Sequence, residues 1–327
     1  MSDKIGVIIT GGTIVSTPQE ELSGVVPGNS EKYNNLLKKF KTLNKNVEIH
    51  EPMRILSENM LLSDMATIEK ILKKNQYKNA IILSGTDMAA RLAAYLDILC
   101  PEIKILILCN QKSLDRPTTS AYEMCEAALS IILKIEHAGT YVFNECGPGE
   151  YSLHAAQFVK KYHTYHRNTF ISTISSIGGN VSYAKIKKIL GAWQIDTDLQ
   201  YAKLKIPLKN KFNWGNYTFL RPTKSKHQKV IRIAMRAEQF ADIGLIQTMA
   251  RYDKIILVGT GLGHIPKKLW EPLKKLKKKI YIVSDCVAGP LSNNVYGDKI
   301  DQPGRLVSGV SPDYLEIFLT LGGKISE

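Results

Sequence analysis

The chain has 327 residues, 44% apolar and 23% charged, an ordinary composition for a soluble globular protein and more material than one hydrophobic core usually serves. Its formal charge is +14, from 44 Lys and Arg against 30 Asp and Glu, and its five cysteines form no Cys-x-x-Cys pair, which excludes a disulfide-built secreted scaffold and points to reduced thiols. An acid and a lysine precede the first apolar run and no 18 apolar residues follow one another, so neither an export signal nor a membrane span is expected, and the cytoplasm is the expected location.

Strand-like apolar runs alternate with helix-length amphipathic segments. Residues 4–10 read as a strand, 31–43 as a helix and 46–50 as a strand. A helix over 63–74, with Ser63 placed to cap it, precedes a strand over 79–83 and a helix over 88–99. A strand over 103–108, a helix over 119–135 and a strand over 140–144 continue the series. Such alternation is the signature of an α/β fold with a doubly wound sheet and helices on both faces. After about residue 175 the rhythm breaks, because 176–228 is polar, basic and rich in Asn, Gly and Pro. A shorter α/β pattern follows: strands over 230–234, 254–258 and 280–283, and helices over 238–250, 266–278 and 313–321. The expected organisation is an N-terminal α/β domain over 1–175, a basic linker with some local structure over 176–228, and a smaller C-terminal α/β domain over 229–327.

The positive charge is clustered. Residues 185–229 carry ten Lys and one Arg against Asp196 and Asp198, and 267–279 carry seven Lys against Glu271. A basic surface of this kind attracts phosphate backbones or acidic partners, whereas a Lys-rich solvated face is the plain alternative.

Two hydroxyl clusters carry the chemistry. Ile-Thr-Gly-Gly-Thr at 9–13 ends the first strand, and Ser-Gly-Thr-Asp at 84–87 ends the third. Open α/β sheets bind ligands in the crevice beyond the carboxyl ends of their strands, so both clusters are expected to face one cleft. Glycines there permit tight turns and close approach of a substrate to backbone N–H groups. Thr13 can attack a carbonyl if a base takes its proton, with Thr86, Asp87 and a nearby lysine as candidates. The structural alternative is that Gly11 and Gly12 only shape a turn while Thr86 or Asp87 caps the following helix.

Thr-Gly-Gly-Thr-Ile at 10–14 and Gly-Thr-Asp at 85–87 resemble the two signature segments of the asparaginase family. The resemblance implies an asparaginase-like fold, with Thr13 as nucleophile and with Thr86 and Asp87 working with a lysine. Lys161 fits that lysine, because residues 161–170 (Lys-Tyr-His-Thr-Tyr-His-Arg-Asn-Thr-Phe) match the family segment around it. Gly12 and Gly85 then border the substrate, and Ser57 and Glu58 hold its α-amino and α-carboxylate groups. Further segments are similar to one branch, the D subunits of archaeal glutamyl-tRNA(Gln) amidotransferases: Ser-Glu-Asn-Met at 57–60, Asp-Arg-Pro-Thr-Thr-Ser-Ala at 115–121, Gly-Thr-Gly-Leu-Gly-His at 259–264 and Asn-Val-Tyr at 294–296. That branch implies glutamine hydrolysis, with ammonia passed to a kinase/transferase partner subunit that has activated tRNA-bound glutamate. ATP and magnesium belong to that partner, and no cofactor or metal is expected in this chain. The family also implies a homodimer in which the neighbour's small domain completes each cleft.

Some residues depart from the family pattern. The tyrosine usual on the loop after the first motif has no counterpart in 16–24, where Glu20 or Glu21 falls nearest; Ser84 and Met88 flank the second motif, Asp285 stands where Gln is common, and the branch's extra N-terminal domain is expected to be missing. Two alternatives follow: a stand-alone L-asparaginase acting on asparagine, and an inactive scaffold subunit of a tRNA-binding complex. The 259–263 glycines also suggest a dinucleotide loop, although their spacing is G-x-G-x-G rather than G-x-G-x-x-G. His163 and His166 show no metal-ligand spacing, and His264 reads as structural or interfacial.

Overall fold

The computed structural model describes residues 4–19, 22–27, 30–173, 183–196, 211–214, 217–222, 227–235, 243–287, 291–292 and 301–326. The chain divides into two compact units, one of Met1–Ser172 with Val181–Leu208 and one of Thr173–Asn180 with Lys209–Glu327.

The first unit opens with β1 (Ile5–Ile9), whose side chains at Ile5, Val7, Ile8 and Ile9 are fully buried. A hairpin of β2 (Ser16–Gln19) and β3 (Leu22–Pro27) leads to α1 (Glu31–Leu43), where the Ser30 hydroxyl caps the helix by accepting from the Tyr33 N–H at 3.1 Å. Then come β4 (Val47–His50), α2 (Leu62–Lys74), β5 (Asn79–Leu83) and α3 (Ala89–Leu99). The start of α2 differs from expectation: Ser63 lies inside the helix, and Asp64 caps it by accepting from the Leu61 N–H at 2.8 Å. A first-turn carboxylate both satisfies an orphan donor and opposes the helix dipole. The chain continues through β6 (Lys104–Cys109), α4 (Ala121–Ile132), β7 (Gly139–Gly147), β8 (Glu150–Ala155), β9 (Val159–Lys161), β10 (Phe170–Ser172), β11 (Tyr183–Ile189) and β12 (Ala192–Asp196).

These strands build an eight-stranded sheet in the order β12-β11-β8-β7-β6-β5-β1-β4. From β4 to β7 the pairs are parallel, and β8, β11 and β12 are added antiparallel. Residues 183–196, expected within a linker, thus lie in the large sheet. Tyr151 on β8 explains the attachment, since its ring stacks on Phe143 at 5.2 Å and meets Trp193 on β12 at 5.5 Å. The turn between β11 and β12 places both Leu190 (φ 49°) and Gly191 (φ 80°) in the left-handed region, as a two-residue hairpin turn requires.

In the second unit, β13 (Lys211–Trp214) and β14 (Tyr217–Leu220) form a hairpin, followed by β15 (Val230–Ala234), α5 (Ile243–Ala250), β16 (Lys254–Gly259), α6 (Trp270–Lys275), β17 (Lys279–Ser284), β18 (Arg305–Leu306), α7 (Pro312–Thr320) and β19 (Lys324–Ser326). Its parallel sheet runs β15-β16-β17-β18 around Met249, Ile255, Leu257, Leu269, Trp270 and Ile282. The glycine loop after β16 closes on itself: Thr260 N–H donates to the His264 carbonyl at 3.0 Å, and a Cβ on Gly259 would lie 2.8 Å from Gly263 C. A 3₁₀ turn (Lys267–Leu269) follows and runs directly into the short helix α6. Asn294–Tyr296, Glu20, Glu21 and the start of the helix expected over 238–250 lie outside the described residues. Among the described residues no helix is long and apolar enough to cross a membrane.

Candidate active site

Chain order places β4 on one side of β1 and β5 on the other, so the winding reverses at the β1–β5 boundary. That is the position at which open α/β sheets form a ligand crevice. The two strands run in parallel register to Ile9 opposite Leu83, which brings both hydroxyl clusters to one edge. Thr10 locks this edge, its N–H and hydroxyl donating to the Leu83 carbonyl at 3.0 and 2.9 Å.

Beyond it the backbones touch. Gly12 has φ 78°, and a Cβ there would fall 2.1 Å from Gly85 N, so only glycine fits. Gly12 N–H donates to the Ile55 carbonyl at 3.0 Å, holding the first motif against the segment that carries Ser57. A Cβ on Gly85 would in turn lie 2.3 Å from Ser57 Oγ. Ser57 is buried, and its hydroxyl accepts from the Asp87 N–H at 3.3 Å. Thr13 begins a 3₁₀ turn (Thr13–Val15) immediately after Gly12 and is half-buried. Glu58 shares the turn Ser57–Asn59, but it is exposed and, among the described residues, makes no hydrogen bond to the others.

Lys161 ends β9 and reaches this crevice from 75 residues away, its Nζ donating to Thr86 Oγ1 at 2.8 Å and pairing with Asp87 Oδ1 at 2.7 Å. The lysine side chain is 20% exposed and the aspartate 55%, so the pair sits at the rim rather than in the core. Neither Thr86 nor Asp87 caps α3, whose N-cap is Met88 with no side-chain cap bond. The structure therefore brings Gly12, Ser57, Gly85, Thr86, Asp87 and Lys161 into contact, with Thr13 adjoining Gly12, and leaves Glu58 beside them.

Residues to which the sequence pattern assigns no role support this cluster. Gln111, two residues past β6, donates from Nε2 to Thr86 Oγ1 at 3.4 Å, Thr169 Oγ1 at 3.2 Å and the Thr164 carbonyl at 3.3 Å. Glu145, 2% exposed, accepts from Arg167 Nη1 at 2.5 Å and from Ser120 Oγ at 2.8 Å, and Asn110 donates to Ser120 at 3.0 Å. These bonds pin the 162–169 loop that follows Lys161. The signal for Gln111 was its place just beyond a strand end, the same position that marks the two threonine clusters. Beneath Gly85, burial pushes the Cys109 thiol far above its ordinary value, which keeps it neutral under the site. Among the described residues no three His, Cys, Asp or Glu side chains converge as a metal-ligand set.

Residues 4–189 match the family model described as Asparaginase, N-terminal. The chain belongs to the asparaginase family. Membership makes it an enzyme of amidohydrolase type, with the mixed α/β architecture that the sequence led one to expect. Among its relatives, this asparaginase-family chain is 24% identical to the D subunit of the glutamyl-tRNA(Gln) amidotransferase of Thermoplasma volcanium, across 97% of this chain and 76% of that relative. It is 26% identical to the D subunit of the glutamyl-tRNA(Gln) amidotransferase of Metallosphaera sedula, across 94% of this chain and 68% of that one. In fold it is similar to the thermostable L-asparaginase from Thermococcus kodakarensis, with TM-score 0.72 and 18% identity over 97% of this chain and 92% of that chain. The probable cytoplasmic L-asparaginase from Campylobacter jejuni gives TM-score 0.67 and 17% identity over 98% and 94% of the two chains.

Proposed function

We propose that the chain hydrolyses the side-chain amide of glutamine with Thr13 as nucleophile, supplying ammonia for the tRNA-dependent conversion of Glu-tRNA(Gln) to Gln-tRNA(Gln). The observation that carries the reading is the Lys161 contact with both Thr86 and Asp87 at the edge where Gly12 meets Gly85. A lysine and a threonine hydroxyl in hydrogen-bond contact supply a proton path, which nucleophilic acyl transfer by Thr13 needs.

In the first step the Thr13 oxygen bonds to the amide carbon. The carbon–nitrogen bond then breaks, and the Thr13 proton ends on the nitrogen, which leaves as ammonia. In the second step a water oxygen bonds to the same carbon and the Thr13–carbon bond breaks. One water proton returns to Thr13, and glutamate is released. Thr86 and Lys161 carry the proton in both steps, and backbone N–H groups near Gly12 and Thr86 hold the developing oxyanion. Ser57, Glu58 and Asp87 fix the substrate's α-amino and α-carboxylate groups, and their pre-positioning supplies much of the rate.

In this reading the chain works in the cytoplasm as a homodimer with a kinase/transferase partner subunit and tRNA. That partner supplies the ATP and magnesium, and this chain needs no cofactor. The names of the curated relatives support the assignment. The L-asparaginase structures that share the fold favour a second reading, a free asparaginase acting on asparagine.

Ammonia release from glutamine and from asparagine separates the two readings, measured with the chain alone and with tRNA and the partner, with Thr13→Ala as the blank. The proposal expects partner-dependent release from glutamine. Robust release from asparagine by the chain alone makes it a free asparaginase, and no release under any condition makes it a scaffold.

A further inference from the structure

Gln111 reaches the site from the end of β6, and its amide nitrogen faces acceptors on two other segments, Thr86 after β5 and Thr164 and Thr169 on the loop after β9. The Thr164 carbonyl can only accept, so this end of the amide is the NH₂ group. Thr169 is fully buried and donates its own proton to the His163 carbonyl, which leaves its oxygen as an acceptor for Gln111. The Thr86 oxygen accepts from Lys161 Nζ at 2.8 Å and lies 3.4 Å from Gln111 Nε2. An amide NH₂ has two protons for these three acceptors, so Gln111 divides its donors between the loop and the Thr86 oxygen.

We propose that Gln111 is a positioning residue which, with Lys161, orients the Thr86 hydroxyl and ties the loop following Lys161 to it. The far end of that loop is held independently, by Arg167 on Glu145 at 2.5 Å and by Asn144 Nδ2 on the Arg167 carbonyl at 2.7 Å. Gln111 is thus a second link, beside Lys161, between the loop and this edge. The inference deepens the amidohydrolase reading and rests on it for its kinetic consequence, whereas the geometric consequence stands without it.

Two variants separate positioning from bulk. Gln111→Met keeps the length of the side chain and removes its N–H groups, and Gln111→Glu replaces those donors with acceptors, which draws the Thr86 proton back toward position 111. Both are expected to lower kcat by about tenfold or more, with KM for glutamine or asparagine within about threefold of the parent and an unchanged melting temperature. Wild-type kcat in Gln111→Met, or a loss that appears only as raised KM and lowered melting temperature, overturns the inference. Crystal structures of the parent and Gln111→Met give the second readout, which needs no turnover. The Thr86 hydroxyl is expected to rotate off Lys161 or the 162–169 loop to shift, and superposable Thr86, Lys161 and loop positions overturn the inference. Absence of amide hydrolysis in the parent counts against the proposed function, and the structural comparison then decides the role of Gln111.

Discussion

At the scale of single residues, the site depends on backbone approach as much as on its side chains. Gly12 and Gly149 make a controlled pair. Both have positive φ, 78° and 68°, but a Cβ on Gly12 would strike Gly85 N at 2.1 Å whereas one on Gly149 meets nothing within 4 Å. Gly149→Ala therefore introduces only backbone strain, on the order of 1 kcal/mol, and is expected to leave amide hydrolysis intact. Gly12→Ala adds a backbone collision that no rotamer relieves, and is expected to cost several times as much, roughly 3 kcal/mol, with loss of hydrolysis. Chemical denaturation and ammonia release on the two variants check this, and equal losses in both would show that the Gly12–Gly85 contact is not what the site requires.

The same scale shows what could be read from the sequence and what could not. Thr13, Thr86 and Asp87 stand out because glycines flank them at the ends of apolar runs. Lys161 has no such local mark, since a lysine in a basic chain is ordinarily solvated, and it emerged through the flanking segment alone. Gln111 was not assigned, because an amide side chain titrates nothing and belongs to no cluster until folding brings Thr86, Thr164 and Thr169 to it.

At the scale of elements, the parallel strands were legible because burial on both faces demands unbroken apolar runs, as in β1 and β5. The ends of helices moved by a residue or more, for reasons visible in their caps. Asp64 rather than Ser63 caps α2, since its carboxylate reaches back to Leu61 N–H. The antiparallel side of the sheet was not legible. Glu-Tyr-Ser-Leu-His-Ala in β8 mixes polar and apolar residues, although most of it is buried, and β11 carries Lys185, Lys187 and Lys188. Its strands are recruited by the Phe143–Tyr151–Trp193 stack rather than by local pattern.

His154 belongs to this added side, on β8, and burial pushes its imidazole down to about 3. Its folded value lies below its unfolded value near 6.5, so between those values the unfolded chain holds a proton that the folded one refuses. Its contribution is complete above about pH 6.5 and falls away as pH drops toward 3, by up to roughly 1.4 kcal/mol per pH unit. Urea unfolding at pH 7 and pH 5 is expected to show a smaller pH dependence in His154→Gln than in the parent. An identical dependence in the two would remove His154 as its source.

At the scale of the whole molecule, the +14 charge is unevenly distributed. Exposed lysines surround α6, with Lys267, Lys268, Lys274, Lys275, Lys277 and Lys279 all on the surface of the second unit. The cluster of Gly12, Ser57, Gly85, Thr86, Asp87 and Lys161 lies within the first unit. In the proposed mechanism the Thr13 oxygen is the atom which takes up the acyl group. Peptide-mapping mass spectrometry of the chain quenched in acid during turnover of glutamine or asparagine tests it. The predicted result is an acyl adduct on the peptide containing Thr13 that is lost in Thr13→Ala, and an adduct on Thr86, or ammonia release undiminished in Thr13→Ala, would contradict it.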